Sequence, residues 1–300
     1  MTNSRSSGYR ADVSGAVSKA VLVTGCSSGI GRATAERLAR RGWTVYASAR
    51  QRESIEDLAD AGCKLLTLDV ADEASRRAAI AEVEGAEGVV GALVNNAGFS
   101  LGGPVEEVPL DEWRRQFETN LFGMIHLTQL ALPGMRRQRW GRIANVSSVG
   151  GRLTFPGAGA YHASKHAVEA MSDAVRYEVK PFGVRVSVIE PGLIKTKFGD
   201  TAVSTAAERG GDGPYAEFMA GVATRTAGAY EGPMAMMAAS PERVAKVVER
   251  ALRRRSPRPR YRVTAGARVL LLTRAMTTDR GWDRVVRTAY PPPQPEPGDA

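Results

Sequence analysis

The stretch VLVTGCSSGIGRA, residues 21–33, decides how the rest of the chain is read. An apolar run stops at Thr24, glycines follow at Gly25, Gly29 and Gly31, and a helix-like segment begins. Glycine reaches backbone conformations closed to other residues and lets a main chain approach another group closely. The N–H groups at the start of the following helix attract negative charge. The spacing is G-x-x-x-G-x-G rather than the common G-x-G-x-x-G fingerprint. Alone, such a loop is either a phosphate cradle or a structural turn.

Working outward, the pattern repeats. Residues 19–25 read as a buried strand, and 33–42 as a helix closed by Gly42. Strand-like runs follow at 43–50, 63–70, 91–98, 141–148 and 184–192. Helix-like segments at 54–62, 72–85, 110–135 and 160–179 separate them. The strands are apolar throughout rather than alternating, as in a parallel sheet covered on both faces. The reading is therefore α/β, a single-domain Rossmann-type doubly wound parallel sheet with helices on both faces. After Gly192 the pattern weakens. A helix with Ser240 as N-cap and Pro241 at its first position, a last strand within 258–266 and two terminal helices complete it. The expected organisation is a flexible arm over 1–18 and a catalytic domain over 19–290. Within that domain lies a substrate loop at about 193–240, and a disordered Pro-rich tail follows over 291–300.

Composition narrows the class. The 300 residues are 43% hydrophobic and 24% charged, ordinary for a globular protein. No apolar run approaches the about 20 residues of a membrane span, and the polar start lacks an apolar signal core. Cys26 and Cys63 match no metal spacing, so two free thiols in a reducing, cytoplasmic setting are expected. The net charge of +9 sits mostly in the last fifth of the chain. No recognition-helix, finger or RNA-binding pattern accompanies it, so a solvated surface is expected and nucleic acid is not.

The second strand bears on the cofactor. In dinucleotide folds a carboxylate at its end holds the ribose of NAD, whereas an arginine suits the 2′-phosphate of NADP. Here Ala49 stands in the acid's place and Arg50 follows, with no acid before Glu53. A guanidinium binds phosphate bidentately, so NADP(H) is the expected cofactor, with Arg32 and Arg52 as helpers.

Tyr161 and Lys165 sit four apart and so share one helix face. A nearby ammonium lowers a phenol's pKa from about 10 toward neutrality. So tuned, a tyrosine passes a proton to or from a substrate oxygen. Ser148 ends the preceding strand at the sheet edge where ligands of such folds bind, and its hydroxyl can bond a carbonyl turning alkoxide. Asn120, a mediocre helix former inside a long helix, has either a functional reason or mere exposure. His162 and His166 point to other faces and read as structural.

Together these motifs resemble the short-chain dehydrogenases/reductases in their single-domain form, strongly over 19–196. TGCSSGIG (Thr24, Gly25, Ser27, Ser28, Gly29, Ile30, Gly31) is similar to the family's T-G-x-x-x-G-x-G. Asp69 with Val70 resembles the acid segment at the adenine, and Asn96, Ala97 and Gly98 of NNAG the cofactor-side segment. Asn120, Ser148, Tyr161 and Lys165 resemble the active-site tetrad. Pro191, Gly192, Ile194 and Thr196 resemble the stretch holding the nicotinamide carboxamide. The resemblance implies hydride transfer between NADP(H) and a carbonyl or alcohol. Tyr161 is then the acid/base, Lys165 lowers its pKa and binds the ribose, Ser148 polarises the carbonyl and Asn120 holds a water. It also implies a homodimer or tetramer through the helices of Asn120 and Tyr161.

At the substrate end, Phe198, Tyr215, Phe218, Met219, Met234, Met236 and Met237 could roof an apolar pocket or simply pack. The look of the chain is nearest the hydroxysteroid- and retinol-dehydrogenase-like branch, which implies a lipophilic ketone, aldehyde or alcohol. The alternatives are a non-catalytic NADP-sensing module and a reductase of a polar or carrier-bound carbonyl.

Overall fold

In the computed structural model the residues described are 17–196, 204–205, 213–231 and 238–294. Residues 1–16 of the expected arm, Phe198, Met234, Met236, Met237 and the tail beyond 294 lie outside them. Ser18, expected at the end of the flexible arm, is instead held, its amide donating to Gln138 Oε1 at 3.0 Å and its hydroxyl to the Val89 carbonyl at 2.8 Å. Pro291–Gln294, expected within the disordered tail, are placed. The Gln294 amide donates to the Pro214 carbonyl at 3.0 Å.

Seven strands form one sheet: β1 (Val21–Val23), β2 (Val45–Ala49), β3 (Lys64–Thr67), β4 (Ala92–Asn95), β5 (Gly141–Val146), β6 (Val184–Glu190) and β7 (Arg260–Arg262). Their order is β3-β2-β1-β4-β5-β6-β7 and every neighbouring pair is parallel. Parallel pairing requires a crossover between strands. The helices α1 (Gly29–Arg40), α2 (Glu73–Glu87), α3 (Leu110–Phe117), α4 (Gly123–Arg137), α5 (Gly159–Val179) and α7 (Pro241–Arg253) supply it. Three more described helices, α6 (Ala216–Glu231), α8 (Ala265–Met276) and α9 (Asp279–Arg287), lie toward the C-terminus. The doubly wound architecture expected from the apolar strands is the one observed.

Successive strand residues point to opposite faces, and β1 shows it. Val21 and Val23 enter one core with Ala35 and Leu38 of α1 and Val244 and Val248 of α7. Leu22 enters the other with Val83 of α2 and Leu127 of α4. Each fully buried Leu or Val contributes about 1.5–3 kcal/mol against its exposed state, so strands buried on both faces anchor the sheet. β3, at the sheet edge, buries only Leu66 fully.

Two local expectations are corrected. Residues 54–62 were expected to form a helix of the ordinary kind, but Arg52–Leu58 is a 3₁₀ helix. Its buried residues, Ile55 and Leu58, are three apart, which suits three residues per turn. The expected single helix over 110–135 is interrupted by a π turn at Glu118–Phe122. That wide turn re-aims Asn120, which is fully buried.

Candidate active site

The order of the sheet reverses direction between β1 and β4, so their C-terminal ends open a crevice. The glycine loop fills its floor. Gly25 and Gly29 have φ of +71° and +57°, conformations that L side chains rarely adopt. The Thr24 hydroxyl oxygen accepts from the Asn96 and Ala97 amides at 3.0 and 2.9 Å. The Asn96 side chain donates to the Thr24 and Gly25 carbonyls at 2.9 and 3.2 Å. NNAG thus ties β4 to the loop. A Cβ on Gly31 would lie 2.2 Å from the Gly25 oxygen, so α1 and the loop touch backbone to backbone.

Ser28 is the N-cap of α1, is extended, and makes no side-chain cap bond. The first amides of α1, through Gly29, Ile30 and Gly31, are therefore not capped by that hydroxyl. Opposite them stands Thr196, whose Cγ2 would be 3.0 Å from a Cβ on Gly29. Ser27 is exposed beside the loop. A pyrophosphate fits such a cradle of close backbone and helix N-terminus.

At the end of β2, Ala49 is buried and Arg50 exposed. Arg32, expected as a helper, is instead paired with Asp57 and lies 3.7 Å from Glu36. Arg52 is exposed on the 3₁₀ helix. Past β3, an Asp69 carboxylate oxygen accepts from the Ala71 amide at 2.9 Å. The neighbouring Val70 carbonyl accepts from Arg76 at 2.5 Å. Burial pushes the Cys26 thiol up to about 12, which keeps it an inert part of the loop core.

Across the crevice, α5 carries Tyr161 and Lys165 on one face, the Lys165 Nζ 5.9 Å from the phenol ring centre. Lys165 is 4% exposed, and its ammonium donates to the Val146 carbonyl at 3.0 Å. Burial pushes its pKa down to about 8, with Glu169, one turn further on, pulling the other way. A Cβ on Gly98 would lie 2.9 Å from Asn120 Oδ1 and 3.6 Å from Lys165 Nζ, so NNAG, Asn120 and Lys165 meet. Asn120 grips the Phe99 peptide at both ends: Oδ1 accepts from its amide and Nδ2 donates to its carbonyl, each at 3.0 Å. Nδ2 also reaches Ser164 Oγ at 3.1 Å. Mere exposure is thereby ruled out for Asn120.

Ser148 caps the short turn Val149–Gly151, its hydroxyl accepting from the Gly150 amide at 3.0 Å. His162 Nδ1 donates to the Gly150 carbonyl at 2.9 Å, since a carbonyl can only accept. This bond pins the Ser148 turn to α5 beside Tyr161. Desolvation lowers the His162 pKa and keeps the ring neutral. His166 bonds the His162 carbonyl at 2.9 Å through Nδ1. The Pro191 carbonyl accepts from the Val149 amide at 2.9 Å. Gly192 abuts Thr264, and Ile194 is buried against Ala239.

Several residues at this site escaped the sequence reading. Gln116 joins Asn120 in holding the loop after NNAG, donating to the Phe99 carbonyl at 2.8 Å and accepting from the Leu101 amide at 2.9 Å. Glu169, four residues past Lys165, bonds Arg260 of β7 at 2.9 Å. Arg260 also bonds Asp173 at 2.6 Å and lies 3.3 Å from Glu190. Glu190, at the end of β6, is fully buried; burial and the Glu169 charge raise its pKa. Part of the arginine-rich segment is thus an internal clamp on the helix of Tyr161. The four-residue spacing from Lys165 to Glu169 was the available signal. Phe155 is a third omission. Its ring lies 5.9 Å from His162, 6.3 Å from Trp282 and 6.4 Å from Tyr290. Tyr215, Phe218 and Met219 pack with Tyr290, and the Tyr215 hydroxyl donates to Glu106 at 2.7 Å.

Residues 19–207 match the family model described as short chain dehydrogenase. A solved short-chain dehydrogenase from Streptomyces avermitilis superposes with a TM-score of 0.75 at 35% identity, covering 90% of this chain and 98% of that one. An uncharacterised oxidoreductase of Escherichia coli K12, YbbO, is 34% identical over 90% of this chain and 94% of its own. The 3-ketodihydrosphingosine reductase of Bacteroides thetaiotaomicron is 39% identical over 60% of this chain and 65% of its own.

Proposed function

The chain belongs to the short-chain dehydrogenases, oxidoreductases that use NAD(P) on carbonyl and alcohol groups, and we propose that it is an NADP(H)-dependent reductase of a lipophilic ketone. The observation that carries the reading is the buried Lys165 ammonium one turn beneath Tyr161, with Asn120 and the Ser148 turn beside them. When bound, NADP(H) supplies or takes up the hydride. The rest falls to side chains. The Tyr161 hydroxyl gives its proton to the carbonyl oxygen as that oxygen becomes an alcohol. Lys165 favours the phenolate left behind and reaches toward the cofactor ribose. The Ser148 hydroxyl bonds the same oxygen while its charge develops. Asn120 keeps the NNAG segment and Ser164 in place around Lys165.

The cofactor groove fits this reading. Arg50, exposed at the end of β2 with no carboxylate at residue 49, favours a 2′-phosphate. Thr24, Gly25, Ser27, Ser28, Gly29, Ile30 and Gly31 would hold the pyrophosphate side. Asp69 and Val70 would face the adenine. Asn96, Ala97, Gly98, Pro191, Gly192, Ile194 and Thr196 would face the nicotinamide half.

The narrower likeness to hydroxysteroid and retinol dehydrogenases has no support in these relatives. The Bacteroides reductase, named for a ketone on a sphingoid base, favours a long-chain ketone instead. The rings of Phe155, Trp282 and Tyr290, gathered against His162 next to Tyr161, would suit one. The test follows NADPH consumption by the purified protein over ketones from small and polar to long-chain, with NADH alongside. Long-chain ketones are expected to turn over, and NADPH to exceed NADH. Turnover of polar ketones alone would refute the lipophilic substrate, and equal rates would refute NADP preference.

Glu169 gives a pH signature. Its carboxylate raises the Lys165 pKa against a larger desolvation that lowers it. The lysine charge is therefore lost as pH rises through about 8. Glu169→Gln removes the supporting charge and should move the alkaline limb of kcat/KM for NADPH, which reports the free enzyme, to lower pH. An unmoved limb with uniformly reduced activity would make Glu169 only a structural partner of Arg260.

A further inference from the structure

The structure carries an unpartnered apolar stripe on α8. Val269, Leu272 and Met276 are 64%, 60% and 79% exposed. Spaced three and four apart, they share one face. The opposite face of α8 is satisfied. Ala267 and Leu271 are buried there, and Leu271 packs with Leu153 and Trp282 of α9.

The part of the chain that carries the stripe is dense in positive charge. Between Arg250 and Arg287 there are twelve arginines against two aspartates, a net +10 where the whole chain carries +9. Some are internal, as Arg260 is, but Arg268 is exposed beside Val269. On α9, Arg280, Arg284 and Arg287 follow one another at helical spacing, all exposed, on the side away from buried Trp282. The patch also has a place relative to the site. Leu153 and Phe155, on which α8 and α9 rest, follow directly on the Ser148 turn.

We propose that α8 and α9 form a peripheral docking surface for an anionic lipid bilayer, with Val269, Leu272 and Met276 dipping into the interface and the flanking arginines on the headgroups. Apolar side chains at acyl depth with basic residues at headgroup level are what interfacial helices use. A second copy meeting this patch about a twofold axis would set arginine face against arginine face. A nucleic-acid backbone would engage the arginines but leave the three apolar side chains in water. The proposal deepens the lipophilic-ketone reading and rests on it for its purpose: such a substrate partitions into bilayers, and docking would bring the site to it.

The experiment is co-sedimentation of the full chain with vesicles of phosphatidylcholine alone and of phosphatidylcholine mixed with phosphatidylglycerol. The protein should pellet with the mixed vesicles and much less with the neutral ones. Leu272→Glu with Met276→Glu should weaken pelleting by about tenfold or more while NADPH binding, followed by fluorescence, is unchanged. Arg280→Glu with Arg284→Glu should weaken it too. Wild-type protein left in the supernatant, or apolar-stripe variants that pellet like wild type, would overturn the proposal. So would variants that shift light scattering from oligomer to monomer, and salt-sensitive DNA retention in place of vesicle binding. Turnover is not read, so vesicle binding without long-chain ketone reduction would sink the substrate reading alone. Long-chain ketone reduction without vesicle binding would sink only the docking surface.

Discussion

Tyr161→Phe should bind NADPH as the wild type does and lose turnover by about 10²–10⁴-fold, the usual contribution of a positioned proton donor. The substitution removes one oxygen and leaves the ring. The ring's edge contact with His162, at 5.6 Å between centres, is kept. Lys165 keeps its own anchor, the Val146 carbonyl at 3.0 Å, so the ammonium still occupies its place beneath the ring. The pinning of the Ser148 turn by His162 is likewise untouched. What disappears is the group that protonates the nascent alkoxide. Fluorescence titration with NADPH and single-turnover rates separate the two effects. Wild-type turnover in the variant would refute the role given to the phenol.

Gly31→Ala should do the opposite, sparing the proton chemistry and damaging the cofactor cradle. The new Cβ would sit 2.2 Å from the Gly25 oxygen and 2.5 Å from the Asn96 side-chain nitrogen. Neither can yield easily. Gly25 is held at a φ of +71° and its carbonyl accepts from Asn96. Asn96 in turn bonds the Thr24 carbonyl. The loop must move away from α1, which costs up to about 3 kcal/mol by the usual scale of overpacking. Charged to the cradle, that is roughly a hundredfold in NADPH affinity. Isothermal titration with NADPH and a thermal melt without it divide the cost between binding and fold. Unchanged affinity would show that the pyrophosphate does not lie over this loop.

Both substitutions fall on residues that local sequence singles out, and that is no accident. The strand-helix alternation from Val21 to Glu190 is written in apolar runs and helical spacing. Strands buried on both faces read as near-continuous apolar runs. The glycine loop and the Tyr161–Lys165 interval are also local facts, set by backbone freedom and by 3.6 residues per turn. What could not be read this way depends on partners far along the chain. Asn120 looks like a flaw in a helix until the π turn presents it to the Phe99 peptide, 21 residues earlier. Nothing near Arg32 in sequence announces Asp57, 25 residues away, with which it pairs.

The same division holds at the C-terminal end. Arg260 belongs to a basic segment whose composition suggests only solvent. Its pairing with Glu169 spans 91 residues and exists because β7 lies beside β6, against α5. Phe155 meets Trp282 and Tyr290 only once α8 and α9 fold back over the Ser148 turn. By itself the sequence determined the doubly wound sheet, the cradle and the face shared by Tyr161 and Lys165, because each follows from interactions within a few residues. The tertiary structure alone decided which charges are buried together and which aromatic rings gather behind the Ser148 turn. Those contacts join segments that carry no local record of one another.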